Sequence, residues 1–121
     1  MEHKERNEQI RQKILGEIAE IEEFSLQRES DALKADRMYQ KAIEMSLINI
    51  GELSKSFTED YLVTMPQIPW KAIRGFRNIA SHQYEIIDFD DVQKTINDDI
   101  PILKSALESS DPVDHGTVPN K

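Results

Sequence analysis

Apolar residues recur every three or four positions along most of the chain, which is the period of an amphipathic α-helix. The first such run extends from Asn7 to Phe24. Its apolar positions share one face, which Leu15 widens: Ile10, Ile14, Ile18 and Ile21. We predict a helix that buries this isoleucine face.

A second helix is expected after Ser30 or Asp31, either of which can cap it. Two apolar faces overlap on it, one formed by Met38, Ala42 and Met45 and the other by Tyr39, Ile43, Leu47 and Ile50. Such a helix is expected to be central or to contact two neighbours, and we assign the Met38 and Met45 stripe to the core rather than to a binding surface. Gly51 interrupts the helix without ending it, which costs stability and indicates a close helix contact.

Start and stop signals delimit three further helices. The third is predicted from Thr58, its cap, to about Met65, with Glu59 and Asp60 at the positive end of the dipole and the Pro66 and Pro69 pair after it. The fourth begins with Pro69 as its first residue and extends to His82.

The fifth helix is predicted to start at Asp88, a cap followed by Asp90 and Asp91, and Pro101 predicts a kink or break near residues 99–100. No run has the period of a strand. We therefore predict an all-α bundle of four to five helices, with one domain over residues 1–108 and a disordered tail over residues 109–121.

Composition narrows the function classes. A chain of 121 residues has one core, and its net charge of −8 is unlike that of a general polyanion receptor. The absence of cysteine excludes disulfides, a thiolate nucleophile and a cysteine-based zinc site. No signal peptide or membrane span is apparent, and a cytoplasmic protein is expected.

The segment "RNIASHQYE", residues 77–85, carries the candidate chemistry. At roughly 100° per residue, the fourth helix has a core side and a polar side. The predicted core side is Pro69, Ala72, Ile73, Phe76, Ile79 and Ala80, with Trp70 as an anchor at the helix start. The predicted polar side is Lys71, Arg74, Arg77, Asn78, Ser81 and His82. If the helix gives way to extended chain at His82, then His82 and Tyr84 point the same way, because side chains alternate along extended chain.

Charge around this segment suits a phosphate. No acidic residue lies between Tyr61 and Tyr84, so Lys71, Arg74 and Arg77 form a positive island on an acidic protein. Arginine offers a fork of donors to phosphate oxygens, and histidine exchanges protons near neutral pH. His82 as general base or acid and Arg77 as transition-state stabiliser could cut RNA without a metal. A plain polar helix end remains the alternative.

Metal binding is not expected from this sequence. His3 and His115 lie near the termini and cannot easily join His82 in a site. Caps and solvated faces account for the clustered acids, which are Asp88, Asp90, Asp91, Asp98 and Asp99.

The stretch "IPWKAIRGFRNIASHQYEIIDFDDVQKTINDDIPIL", residues 68–103, resembles the HepT toxins of the HEPN superfamily. The shared pattern is I-P-W, R-N, H-x-Y, an Asp-rich helix start and D-I-P-x-L, and "INIGEL" in the second helix is also similar. The resemblance covers nearly the whole chain except both termini. Ala80 and Ser81 depart from it, since the family more often has larger or apolar residues there.

The resemblance implies a specific activity and regulation. HepT proteins are helical, metal-independent endoribonucleases of type VII (HEPN/MNT) toxin–antitoxin systems, without a cofactor, whose homodimers bring two R-x-x-x-x-H motifs to one cleft. By position, Arg77 and His82 would be catalytic, and Asn78 would be the polar residue that commonly follows the arginine. Together with Arg74, Lys71 and Ser81 of the polar side, Asn78 is expected to support RNA phosphates. Tyr84 matches the tyrosine that an MntA-type nucleotidyltransferase antitoxin modifies with AMP from ATP. The expected substrate is RNA, either tRNA or mRNA.

Two other functions stay open at this point. The chain could be a non-catalytic HEPN partner that binds nucleotide or substrate for a minimal nucleotidyltransferase. It could also be a purely structural helical dimer, in which case the acid-free island would be a coincidence.

Overall fold

The computed structural model describes residues 2–26, 28–29, 31–79 and 87–110, and these residues form helices joined by turns, without a strand. The elements are α1 (Glu2–Ser25), α2 (Ala32–Ala35), α3 (Arg37–Ser54), α4 (Glu59–Leu62), α5 (Trp70–Gly75), a 3-10 helix (Phe76–Ile79), α6 (Phe89–Lys94), a π-helical turn (Thr95–Asp99) and α7 (Ile100–Ser109). The predicted all-α bundle is confirmed.

The core forms where α1, α3 and α7 meet. Each helix contributes an apolar face whose residues are buried: Ile10, Ile14, Ile18 and Ile21 of α1, Tyr39, Ile43, Leu47 and Ile50 of α3, and Ile100, Leu103 and Leu107 of α7. Helix α3 contacts α1 on one side and both α5 and the 3-10 helix on another. Its predicted central position is confirmed.

The second apolar face of α3 is not buried, so that prediction is wrong. Met38 is 83% exposed and Met45 is 58% exposed, while Ala42 between them is half-buried. The period of a sequence identifies residues that share a face, but it does not say whether a neighbour covers that face. Among the described residues nothing covers this one, which we call the Met38/Met45 stripe.

Helix α3 is capped by Asp36 rather than by the predicted Ser30 or Asp31. The Asp36 carboxylate accepts hydrogen bonds from the backbone N–H groups of Met38, at 3.0 Å, and Tyr39, at 3.2 Å. It also pairs with the Arg28 guanidinium. These interactions lower the pKa of Asp36, with the Tyr39 N–H bond as the largest cause. Asp31 instead precedes the short α2 and makes no side-chain cap there.

Helix α4 is shorter than predicted and ends at Leu62 rather than near Met65. The Thr64 hydroxyl donates to the carbonyl of Tyr61 at 2.6 Å, and the Met65 N–H donates to Leu62. These local bonds replace the next helical turn, as threonine hydroxyls often do outside helix interiors.

Thr58 connects α4 to α1 instead of capping its own helix through its side chain. Its hydroxyl accepts from Nδ2 of Asn7 at 2.8 Å, and its backbone N–H donates to Oδ1 of Asn7 at 3.1 Å. Asn7 is buried. The two reciprocal bonds join segments that are distant in the sequence.

The last helical stretch is interrupted where proline predicts it. The Asp88 carboxylate caps α6 by accepting hydrogen bonds from the backbone N–H groups of Asp90 and Asp91, as predicted. The π-helical turn then ends at Asp99, two residues before Pro101. Proline lacks an N–H and its ring collides with the carbonyl four residues earlier, and a wider turn relieves both problems. Residues 111–121 of the predicted tail lie outside the described residues, so its disorder stays a prediction.

Across the described ranges, none of the helices combines the length and the apolar character needed to span a membrane.

Candidate functional site

Helix α5 begins at an aromatic anchor. Trp70 is buried, its indole N–H donates to the carbonyl of Met65 at 3.2 Å, and its ring meets Phe57 edge-on at 5.7 Å. The predicted role of Trp70 at the helix start is confirmed. Pro69 occupies the N-cap position, one residue before the helix it was predicted to begin.

Gly51 lets the backbone of residues 70–79, which we call the motif segment, lie directly on α3. A Cβ atom at Gly51 would be 2.6 Å from the amide nitrogen of Arg77, 3.1 Å from the carbonyl oxygen of Ile73 and 3.2 Å from that of Arg74. Real Cβ atoms essentially never come within 3.0 Å of such an atom. The close contact predicted for Gly51 is confirmed, and it sets the position of Arg77.

The segment tightens from α-helix to 3-10 helix at Phe76, whereas a continuous α-helix was predicted. Side chains three residues apart eclipse each other in a 3-10 helix, while they drift around the axis in an α-helix. The tighter turn therefore keeps Arg77 on the side of Arg74.

The buried side of this segment is narrower than predicted. Trp70 and Ile73 are buried and Phe76 is half-buried, but Pro69 and Ala72 are exposed. With only six residues, α5 presents a single stripe to α3, and positions one step to either side reach solvent. The side chain of Ile79 and residue Ala80 lie outside what the structure describes.

A cationic groove lies beside this contact, with a volume of about 470 Å³. It is lined by Lys55, Lys71, Arg74, Gly75, Arg77 and Asn78, so no acidic residue lines it in the described part of the chain. Lys71, Arg77 and Asn78 are exposed and Arg74 is half-buried. None of the ion pairs found among residues 2–26, 28–29, 31–79 and 87–110 involves Lys71, Arg74 or Arg77.

The sequence prediction missed two residues that line the groove, Gly75 and Lys55, of which only Lys55 is charged. It follows α3 and makes an exposed ion pair with Glu52 at 3.6 Å. The signal was available, because Lys55 lies four residues after Gly51, on the helix side that was already predicted to make a close contact.

The structure brings together four of the predicted site residues, namely Lys71, Arg74, Arg77 and Asn78. Ser81, His82 and Tyr84 lie outside the described residues. The distance between Arg77 and His82 therefore stays a prediction. In the described ranges no group of three or more potential metal-ligating side chains is found.

Comparison with known protein families identifies the family of this chain. A family model described as "Ribonuclease HepT-like" matches residues 14–110, which include the whole cationic groove. The chain belongs to the HepT-like ribonuclease family. Its helical fold is accordingly of the HEPN type, as the resemblance of the motifs implied.

Similar curated proteins agree with the HepT-like assignment. "Probable ribonuclease HepT" of Thermococcus cleftensis is 35% identical over 98 residues, covering 78% of this chain and 89% of that protein. A protein of Methanocaldococcus jannaschii whose name attributes RNase activity to it is 30% identical over 95 residues, covering 78% and 87%. No solved structure matches the chain. Membership of the HepT-like family supports an RNase function.

Proposed function

We propose that this protein is an endoribonuclease that cleaves RNA without a metal ion, using Arg77 and His82 of the R-x-x-x-x-H motif. The observation that carries the proposal is the cationic groove, which no acidic residue lines in the described ranges and in which Arg77 lies with Arg74, Lys71 and Lys55. In a protein with net charge −8, such a groove draws a polyanion to one place and the remaining surface repels it.

The motif residues supply the two functions that cleavage of RNA requires. His82 accepts the proton of the 2′-hydroxyl, whose oxygen attacks the neighbouring phosphorus to form a 2′,3′-cyclic phosphate, and the bond to the 5′-oxygen breaks as that oxygen takes up a proton from water. The Arg77 guanidinium donates hydrogen bonds to the non-bridging oxygens as negative charge accumulates on them. Asn78, Ser81, Arg74 and Lys71 hold the strand in place.

We further propose that the activity is that of a toxin silenced by a nucleotidyltransferase antitoxin, which transfers AMP from ATP to Tyr84. Tyr84 is two positions from His82 in the sequence. A nucleotide on its side chain brings bulk and negative charge to a site that receives phosphate, so RNA is excluded. The target would be tRNA or mRNA.

We propose a homodimer in which two copies of the motif share one cleft. The support is the Met38/Met45 stripe, whose seven-residue spacing continues to Glu52 on the same side of α3. Glu52 pairs with Lys55 of the cationic groove. A second copy covering the stripe would therefore lie beside the groove.

An RNA cleavage assay with chelator tests the catalytic proposal. Arg77→Ala and His82→Ala are each expected to lower the cleavage rate by about 10²–10⁴-fold, while chelator leaves the wild-type rate unchanged. Arg6→Ala is the matched control, because Arg6 is an exposed arginine of α1. Cleavage that chelator abolishes, or Arg77→Ala protein as active as Arg6→Ala protein, would contradict the proposal.

The size of the groove also favours a second candidate, a non-catalytic nucleotide-binding partner of a nucleotidyltransferase. Its volume of about 470 Å³ lies within the range of small-ligand sites, about 300–1,000 Å³. Binding of AMP or ATP to wild-type protein that leaves RNA intact and permits normal growth would select this candidate.

A further inference from the structure

The cationic groove extends well beyond the motif arginine. Lys71, Arg74 and Arg77 follow each other at three-residue intervals along α5 and the 3-10 helix. The rise per residue of the two helix types places the first and last of them about 10 Å apart along the axis. A single phosphate at Arg77 therefore leaves the other end of this row unoccupied.

Lys55 adds a cation from a different element. It follows the last residue of α3, so the groove has walls from two parts of the chain that meet at the Gly51 contact. Its ion pair with Glu52 is long and exposed, and such pairs contribute little to stability. The Lys55 ammonium can therefore leave the Glu52 carboxylate and pair with a phosphate oxygen at a small cost in free energy.

We propose that Lys55, Lys71 and Arg74 form a subsite for a backbone phosphate of RNA other than the one that is cleaved. The proposal rests on the proposed ribonuclease function for the identity of the anion. It makes the protein selective for strands that carry a phosphate beyond the scissile one, and it assigns Lys55 to substrate binding.

Binding to a non-cleavable strand tests the subsite without relying on catalysis. The probe is a fluorescent 2′-O-methyl RNA dodecamer, whose blocked 2′-hydroxyl prevents cleavage, and anisotropy is measured over a range of salt concentrations. Lys55→Gln is expected to weaken binding about five- to tenfold at low salt. It should also reduce the slope of log affinity against log salt by about 0.7, the value for one phosphate of a single strand.

Lys13→Gln is the matched control, since it removes the same charge from an exposed position of α1. It is expected to bind the dodecamer like the wild type, and circular dichroism of both variants checks their folding. Equal binding by Lys55→Gln and Lys13→Gln protein would overturn the subsite. AMP binding that depends on Lys55 while dodecamer binding does not would overturn it too, because the groove would then hold a free nucleotide.

Cleavage measurements compare a dinucleoside monophosphate, which has only the scissile phosphate, with an unmodified dodecamer. We expect Lys55→Gln to raise KM for the dodecamer, with a loss in kcat/KM at least fivefold greater than for the dinucleoside monophosphate. Equal losses for both substrates would overturn the proposal. Dodecamer binding that depends on Lys55, with no cleavage by the wild type, would uphold the subsite and overturn only the ribonuclease function.

Discussion

At the scale of single residues, Gly51 has a clear structural requirement. Its Cα faces the amide of Arg77 and the carbonyl groups of Ile73 and Arg74, so a side chain there meets backbone atoms that cannot rotate away. Gly16 is a useful contrast, because it is also within a helix but a Cβ there meets no atom within 4 Å.

We expect Gly51→Ala to lower the free energy of unfolding by about 1–3 kcal/mol, since the motif segment must move away from α3. Gly16→Ala should instead raise it by about 0.5–1 kcal/mol, because alanine restricts the unfolded chain and favours the helix. Urea unfolding followed by circular dichroism measures both. Equal stabilisation by the two substitutions would show that the close contact is absent.

Asp36 gives a prediction about pH. Its pKa is lowered in the folded protein, so its stabilising interactions are complete above the unfolded-state value of about 3.9 and are lost as the pH falls through the folded value. The side-chain amide of an Asp36→Asn variant can still cap α3, but it neither titrates nor pairs with Arg28 as an ion. We therefore expect the wild type to melt at a higher temperature than this variant at pH 6, with the difference shrinking toward pH 3. A difference independent of pH would contradict this assignment.

At the scale of elements, hydrophobic periodicity was sufficient for the main helices. The isoleucine face of α1 and the Ile43 face of α3 are buried as predicted. A helix with one continuous apolar face buries it by packing against a single neighbouring element. Two predictions from local backbone chemistry are also confirmed, namely the cap at Asp88 and the interruption of the helix before Pro101.

The local structures that the sequence did not predict depend on tertiary contacts. The 3-10 turn at residues 76–79 lies where the motif segment rests on α3, and the Thr58 hydroxyl bonds to Asn7 while Thr58 makes no side-chain cap on α4. Neither partner is near in the sequence, so no local rule indicates the contact. Only part of the groove was predictable for the same reason, since Lys71 and Arg74 are near the motif in the sequence while Lys55 follows the distant α3.

The Asn7 bonds make α1 and α4 interdependent. Asn7→Ala should destabilise the protein by about 1–3 kcal/mol, because it removes two hydrogen bonds and leaves the Thr58 N–H without its acceptor. Asn49→Ala is the control, since half-buried Asn49 donates one bond, at 3.1 Å, to Glu17. It should cost less than about 1.5 kcal/mol. Thermal unfolding compares the two variants, and equal losses would argue against a special role for Asn7.

At the scale of the whole molecule, charge and apolar surface are unevenly distributed. The protein is acidic overall, yet its cationic groove contains no acid among the described residues. One helix, α3, connects the main surface features: it bears the Met38/Met45 stripe on one side and Gly51 on another, and Lys55 follows its end. The proposed dimer and the proposed active site therefore depend on the same helix.

Replacing both Met38 and Met45 by glutamate is expected to convert the proposed dimer to monomers, because like charges would face each other across its two-fold axis. Val63→Glu with Ile102→Glu is the matched control, since these residues are 64% and 51% exposed elsewhere on the surface. Sedimentation velocity measures the molecular mass. A control that dissociates while the methionine variant stays dimeric would move the interface to another face.

The contact at Gly51 also limits how this protein can vary. The atom nearest to a Cβ at position 51 is the backbone amide nitrogen of residue 77, so no amino acid chosen at position 77 removes it to make room for a larger residue at position 51. In a library that varies both positions, no residue at position 77 should therefore restore the stability lost by a larger residue at position 51. Ordinary core neighbours differ, because a smaller side chain at one position can make room for a larger one at the other. Glycine at position 51 would persist among stably folded variants even where the arginine itself has been replaced.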